Sequence, residues 1–186
     1  MKMNWSNSLL VVASLIAPAA ALADNPPFGN LGNQVLDTAK SESTKAVKGE
    51  VNKEVISRVN KRLMAEGRKN QCSFKKDTDE LEAGCDAKAK RLADTMINLK
   101  KDLTNAGLQS YKFVVSGHTD TFGTAEHNKE LSQKRAAVMV RELVARGVSA
   151  GEIEAVGMGA ERPIVKPDNT EAKRAKNRRY EIQVKI

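Results

Sequence analysis

No apolar stretch in this 186-residue chain is long enough to cross a bilayer, which takes about 20 residues. The apolar run Leu9 to Ala17 follows Lys2 and leads into Ala21, Leu22 and Ala23. It is expected to be the core of an export signal, residues 1–23, with an A-x-A-type cleavage site before Asp24. No cysteine follows that site directly, so no lipid anchor is expected. Nothing offers the many alternating ten-residue strands of an outer-membrane barrel. The mature chain is therefore expected in the periplasm without a transmembrane segment. Internal repeats and low-complexity tracts are also missing. No G-x-S-x-G surrounds Ser116, which removes support for serine catalysis. His118, Asp120 and His127 are the nearest approach to a metal set, but they lack a fourth ligand or a general base at motif spacing. Gly157 and Gly159 read as turn glycines, because no helix starts after them where a phosphate cradle needs one. No metal, cofactor or enzymatic activity is expected.

What the chain does have is positive charge and one pair of cysteines. The net charge is +8, and removing residues 1–23 takes away one lysine and no acid, leaving +7. That balance favours an anionic partner, and export excludes nucleic acid from that role. In an oxidising compartment, Cys72 and Cys85 are expected to form a disulfide, two buried free thiols being the alternative. Cys85 opens the stripe Cys85, Ala89, Leu92, Met96, Leu99 and Leu103, the buried face of a helix, and Cys72 alternates with Phe74 on the preceding strand.

Residues 24–33 are turn-rich and read as a linker, and 34–67 as an amphipathic helical segment whose pattern begins near Leu31. Its ridge, Val47, Val51, Val55, Ile56, Val59 and Leu63, must pack on the folded domain, on a second copy or on a protein partner. From residue 70 to 186 the periodicities predict strand 71–75, helix 84–105, strand 111–116, helix 124–146, strand 152–157, a short helix 170–176 and strand 179–186. This is an α/β fold, an α+β sandwich with helices on one face of a mixed sheet.

The segment SGHTDTFGTAEHNKELSQKRA, 116–136, carries the candidate site. Gly117 is expected to break the strand, so Asp120 falls in a loop at a strand's carboxyl end, where open α/β sheets place ligands. On the following helix, Ala136, Met139, Val140, Leu143 and Val144 form a core stripe, while Asn128, Leu131 and Arg135 share a separate arc that should look outward. A small zwitterion could bridge the two charges, ammonium to Asp120 and carboxylate to the Arg135 fork. Alternatively, Asp120 and Arg135 simply pair with each other.

Four motifs occur in order: GHTD at 117–120, N-x-x-L-S-x-x-R-A at 128–136, G-M-G-x-x-x-P at 157–163 and NRRYEI at 177–182. Together they resemble the OmpA-like carboxy-terminal domain shared with the peptidoglycan-associated lipoproteins and the flagellar stator B protein. The resemblance implies non-covalent binding of peptidoglycan through the diaminopimelate of its stem peptide. Asp120 would take the ammonium and Arg135 the carboxylate, with Asn128, Leu131 and Arg178 shaping the pocket. It also implies that a protein or envelope assembly is thereby anchored to the cell wall. The alternative is an interaction protein whose amino-terminal helix recruits a partner while the wall-binding domain localises it. A domain beginning near Lys69 is expected to keep the binding residues. One departure stands out: Lys75 occupies the place where the family commonly has an acid after Phe74, leaving Asp77 as the candidate for that contact.

Overall fold

The computed structural model describes residues 31–186, with side chains from residue 48 onward, so the expected signal and most of the linker lie outside the described residues. Residues 46–186 form one compact unit. Among the described residues four α-helices and three strands follow in the order α1 (Leu31–Lys69), α2 (Cys85–Asn105), β1 (Lys112–His118), α3 (Ala125–Ala145), β2 (Ile153–Gly157), α4 (Glu171–Asn177) and β3 (Arg179–Lys185), with one 3-10 turn, Ala150–Glu152, before β2. No described helix is long and apolar enough to cross a membrane.

The sheet runs β2-β1-β3, with β1 parallel to β2 and antiparallel to β3. Its register places Phe113 beside Ile153 and Val184, and Val115 beside Ala155 and Ile182, on one face. Because strand side chains alternate, this face also carries Tyr180. It meets the buried stripes of α2 (Cys85, Ala89, Leu92, Met96, Leu99, Leu103) and α3 (Ala136, Met139, Leu143) in a single core. On the opposite face Glu154 is exposed and Ser116 and Gln183 are half-exposed, as the alternation of β3 predicts, but Val114 and His118 on the central strand are buried, so that side is wetted only in part.

Two expectations fail for steric reasons. Gly117 does not end β1, which runs on through His118, and Gly157 is the last residue of β2, the turn following at Gly159 with φ 51°. A Cβ at Gly117 would overlap the Ser132 carbonyl oxygen, and one at Gly157 would fall 2.6 Å from the Gln133 amide nitrogen. Both glycines let α3 lie directly against the sheet. The predicted strand 71–75 is reduced to one isolated bridge, Phe74 with Leu81. Its backbone instead folds on itself, Lys75 donating to the Glu80 carbonyl at 2.9 Å and Glu82 to that of Ser73 at 3.0 Å, around Asp77 with φ 54°. The Cys72–Cys85 disulfide closes this loop onto the start of α2.

The outer edge of β3, where a fourth strand would pair, is met by α1. Asn60 accepts from the Val184 N–H at 2.6 Å and donates to its carbonyl at 3.2 Å. On the far side of the sheet Gln133 treats β2 similarly, donating to the Ala155 carbonyl at 3.2 Å and accepting from the Gly157 N–H at 2.6 Å. Beside Asn60, Val59 and Leu63 are fully in the core, with Val55 and Ile56 packed against it, while Val51 stays 49% exposed. Val47 lies outside the described side chains. The latter part of α1 thus belongs to the folded domain, and a domain starting at Lys69 would lack part of its core.

Candidate functional site

Strand β1 delivers the chain into the loop 119–124, which is fixed on three sides. Thr119 donates to the Gly159 carbonyl at 3.0 Å, and Ser132 on α3 accepts from the Gly159 N–H at 2.8 Å, so the G-M-G segment ties the loop to the helix. Asn128 donates to the carbonyls of Asp120 (3.4 Å) and Phe122 (3.0 Å). Asp168 accepts from the Thr121 N–H at 3.0 Å and from its hydroxyl, and receives the Asn177 amide at 3.0 Å. These bonds hold the Asp168 carboxyl down to about 2. Thr124 then caps α3 by accepting from the His127 N–H.

Helix α3 lines up Asn128, Leu131 and Arg135, yet all three are buried rather than facing outward. Two loops cover them: 119–124 over Asn128, and the 75–80 turn over Arg135. Arg135 as a residue is 8% exposed; its guanidinium donates from Nε to the Thr78 carbonyl (2.9 Å) and from Nη2 to that of Lys75 (3.3 Å), and stands 5.2 Å from the Phe74 ring centre. Burial, with Arg178 adding to it, lowers its proton affinity, while Asp77, Asp120 and Asp79 act the other way from beyond ion-pair distance. Among the described residues no carboxylate pairs with it and its Nη1 has no protein acceptor. A largely buried guanidinium with no carboxylate in contact attracts an anion.

Asp120 pairs elsewhere. Its Oδ2 accepts from Arg178 Nη1 at 2.7 Å, and its Oδ1 from the Phe122 N–H at 3.0 Å. Arg178, at the end of α4, also bonds Glu171 through Nη2. Burial works against the Arg178 charge, but the bonds to Asp120 and Glu171 outweigh it and raise its proton affinity. Arg178 and Asp120 are thus paired with Glu171 behind, and the charges of both act on Arg135 without ion-pair contact. Asp77 is exposed at the tip of the 75–80 turn. Lys75 points away to pair with Glu80 at 2.6 Å, so the substituted side chain does not reach the site, although its carbonyl does.

Thr121, Asp168 and Glu171 belong to the site but carry no periodic signal. Only the Thr170–Glu171 helix start was legible, as a cap followed by an acid. His118 packs at the end of β1 with neither ring nitrogen hydrogen-bonded, and burial, then Arg179, push its imidazole down to about 4. Among the described residues no group of three His, Cys, Asp or Glu side chains is placed to hold a metal ion.

The OmpA family profile matches residues 73–178, more than half of the chain and all of this constellation. The chain belongs to the OmpA family. Within it, the chain is similar to the peptidoglycan-associated lipoprotein of Pseudomonas aeruginosa, 41% identical over 83 residues that cover 45% of this chain and 47% of that protein. It is likewise similar to outer membrane protein A of Klebsiella pneumoniae, 40% identical over 95 residues, 47% of this chain and 28% of that one. The chain thus matches less than half the length of these relatives. In fold it is similar to the carboxy-terminal domain of Helicobacter pylori MotB, with a TM-score of 0.52 and 24% identity over 62% of this chain and 84% of that domain.

Proposed function

We propose that this OmpA-family domain binds peptidoglycan non-covalently in the periplasm by clamping the diaminopimelate of the stem peptide, and so anchors the chain to the cell wall. The observation that carries the reading is the unpaired, buried guanidinium of Arg135 beside an acid, Asp120, that is already held in place. The ligand carboxylate takes the free Nη1 edge of Arg135. Its ammonium takes Asp120, sharing that carboxylate with Arg178, which keeps Glu171 as its second partner. Leu131 supports the clamp from below, and Asn128 acts by fixing the loop that carries Asp120. Losing either end of such a charge-assisted contact costs about 2 to 5 kcal/mol when the partner charge stays unpaired. The relatives named for peptidoglycan and for the outer membrane support the placement in the cell envelope.

The test is co-sedimentation with purified sacculi and release by free diaminopimelate. Asp120→Ala and Arg135→Ala should each abolish binding with the circular dichroism spectrum unchanged. Binding at the parental level by either variant would refute the clamp. The recruitment of a partner through residues 31–67 is confined by the packing of α1: Val55, Ile56, Val59 and Leu63 pack in or against the core, so a partner would meet the opposite, exposed face of the helix or its part around Val51.

A further inference from the structure

We propose that Phe122 is a second contact for the same polymer, an aromatic platform for the apolar face of a sugar ring next to the clamped stem peptide. This rests on the peptidoglycan reading above. Aromatic side chains are scarce, 4% of the sequence. Four of the five whose side chains are described are used in packing. Tyr111 and Phe113 meet edge to face at 5.5 Å, Tyr180 is buried, and Phe74 lies under the Arg135 guanidinium. Phe122 alone is held in water, 81% exposed.

Its exposure is not that of a loose loop tip. The Phe122 N–H donates to Asp120 Oδ1 at 3.0 Å and its carbonyl accepts from Asn128 at 3.0 Å. The preceding Thr121 is bonded through its N–H and hydroxyl to Asp168. Gly123, with φ 95°, sets the turn that follows. The backbone is thus immobilised on both sides of the ring, and little further ordering is needed when the ring is covered. The bond to Asp120 is made by the same carboxylate that would take the ligand's ammonium, so the residue that carries the ring is tied directly to the clamp.

What covers it follows from its being the one exposed ring among the described side chains. The other large apolar side chains in the open, Val51, Met64, Ile164 and Ile186, are distributed over α1, the segment before α4 and the chain end. A lipid surface or a protein partner selects a contiguous patch or an amphipathic helix face, which a single ring does not provide. A pyranose matches it in size. One face of the sugar is lined by C–H groups that an aromatic ring can cover, while its hydroxyls stay in water at the edge. In a polymer where sugar and stem peptide are joined, a ring mounted two residues beyond Asp120 meets the part of the ligand that leaves the clamp.

The experiment compares two ligands by isothermal titration of the full chain: free diaminopimelate, and a disaccharide carrying the stem peptide. Phe122→Ala should leave diaminopimelate affinity unchanged and weaken the disaccharide-peptide about tenfold, with Phe122→Trp restoring it. Equal affinity of parent and Phe122→Ala for the disaccharide-peptide overturns the proposal. So does a parallel loss for both ligands, which would mean that the side chain acts through Asp120. If the parent chain binds neither ligand, the clamp reading itself fails, and the two failures are distinguished.

Discussion

Replacing Leu63 by alanine tests whether the latter part of α1 is structural. Leu63 is completely buried, and truncating such a leucine removes its transfer free energy and leaves a cavity, costing about 2 to 5 kcal/mol. Asn60→Ala attacks the same interface by another route. It strips partners from both the N–H and the carbonyl of Val184, with an expected loss of roughly 1 to 3 kcal/mol because the half-buried edge admits some water. Val51→Ala, on the same helix but half exposed, should stay within about 0.5 kcal/mol. Urea unfolding followed by circular dichroism separates the three. With a denaturant slope of about 2 kcal/mol per molar, Leu63→Ala should lower the midpoint by ~1.5 M and Asn60→Ala by ~1 M. Because these residues lie away from Arg135 and Asp120, diaminopimelate affinity in the absence of urea should be unchanged. A midpoint for Leu63→Ala no lower than that for Val51→Ala would show that α1 is not docked, and a domain starting near Lys69 would then be sufficient.

Arg135→Lys keeps the charge but loses the planar fork that bonds two loop carbonyls while offering Nη1 to a ligand, so sacculus binding should fall although the fold persists; undiminished binding would refute the two-pronged contact. Reducing the disulfide should cost about 3 kcal/mol, roughly 10 °C in Tm, from the closed loop alone. It should also weaken binding, because the loop it closes carries the Lys75 and Thr78 carbonyls on Arg135; affinity unaffected by reductant would separate the loop from the site. His118 is neutral when folded, with burial and Arg179 holding it at about 4 against an ordinary 6.5. The unfolded chain therefore takes up the proton first, and the stability present above pH 6.5 is lost as pH falls toward 4. His118→Gln should flatten that slope in denaturant titrations at pH 7, 5.5 and 4. Gly117→Ala should push α3 off the sheet and lower both Tm and binding; a normal Tm would contradict the close approach.

The main helices and the three strands were legible because their apolar periodicity is strong: the stripes beginning at Cys85 and Ala136, and the alternation of Tyr180, Ile182 and Val184, mark buried faces. Asp120 and Arg135 were also legible as candidates. Their partners were not, since a pairing such as Asp120 with Arg178 spans 58 residues and depends on where α4 ends. Gly117 and Gly157 look like turn residues in one dimension because the helix that excludes a side chain there is distant in sequence. The stretch 71–75 has strand composition, but its backbone bonds to residues 80–82 just after it, a local fold-back that propensity does not contain.

The two amides at the rims of the sheet have a consequence for life in a crowded compartment. An unprotected strand edge is a template on which identical chains can polymerise. Asn60 offers Val184 the reciprocal pair of bonds that an antiparallel neighbour would offer, and Gln133 spans Ala155 and Gly157 as a parallel neighbour would. Each side chain counterfeits one residue of a missing strand, in the orientation its edge would recruit. Each rim is thereby occupied at one point along its length, Val184 on β3 and Ala155 to Gly157 on β2, which interrupts the row of free backbone groups that another copy would need in order to extend the sheet.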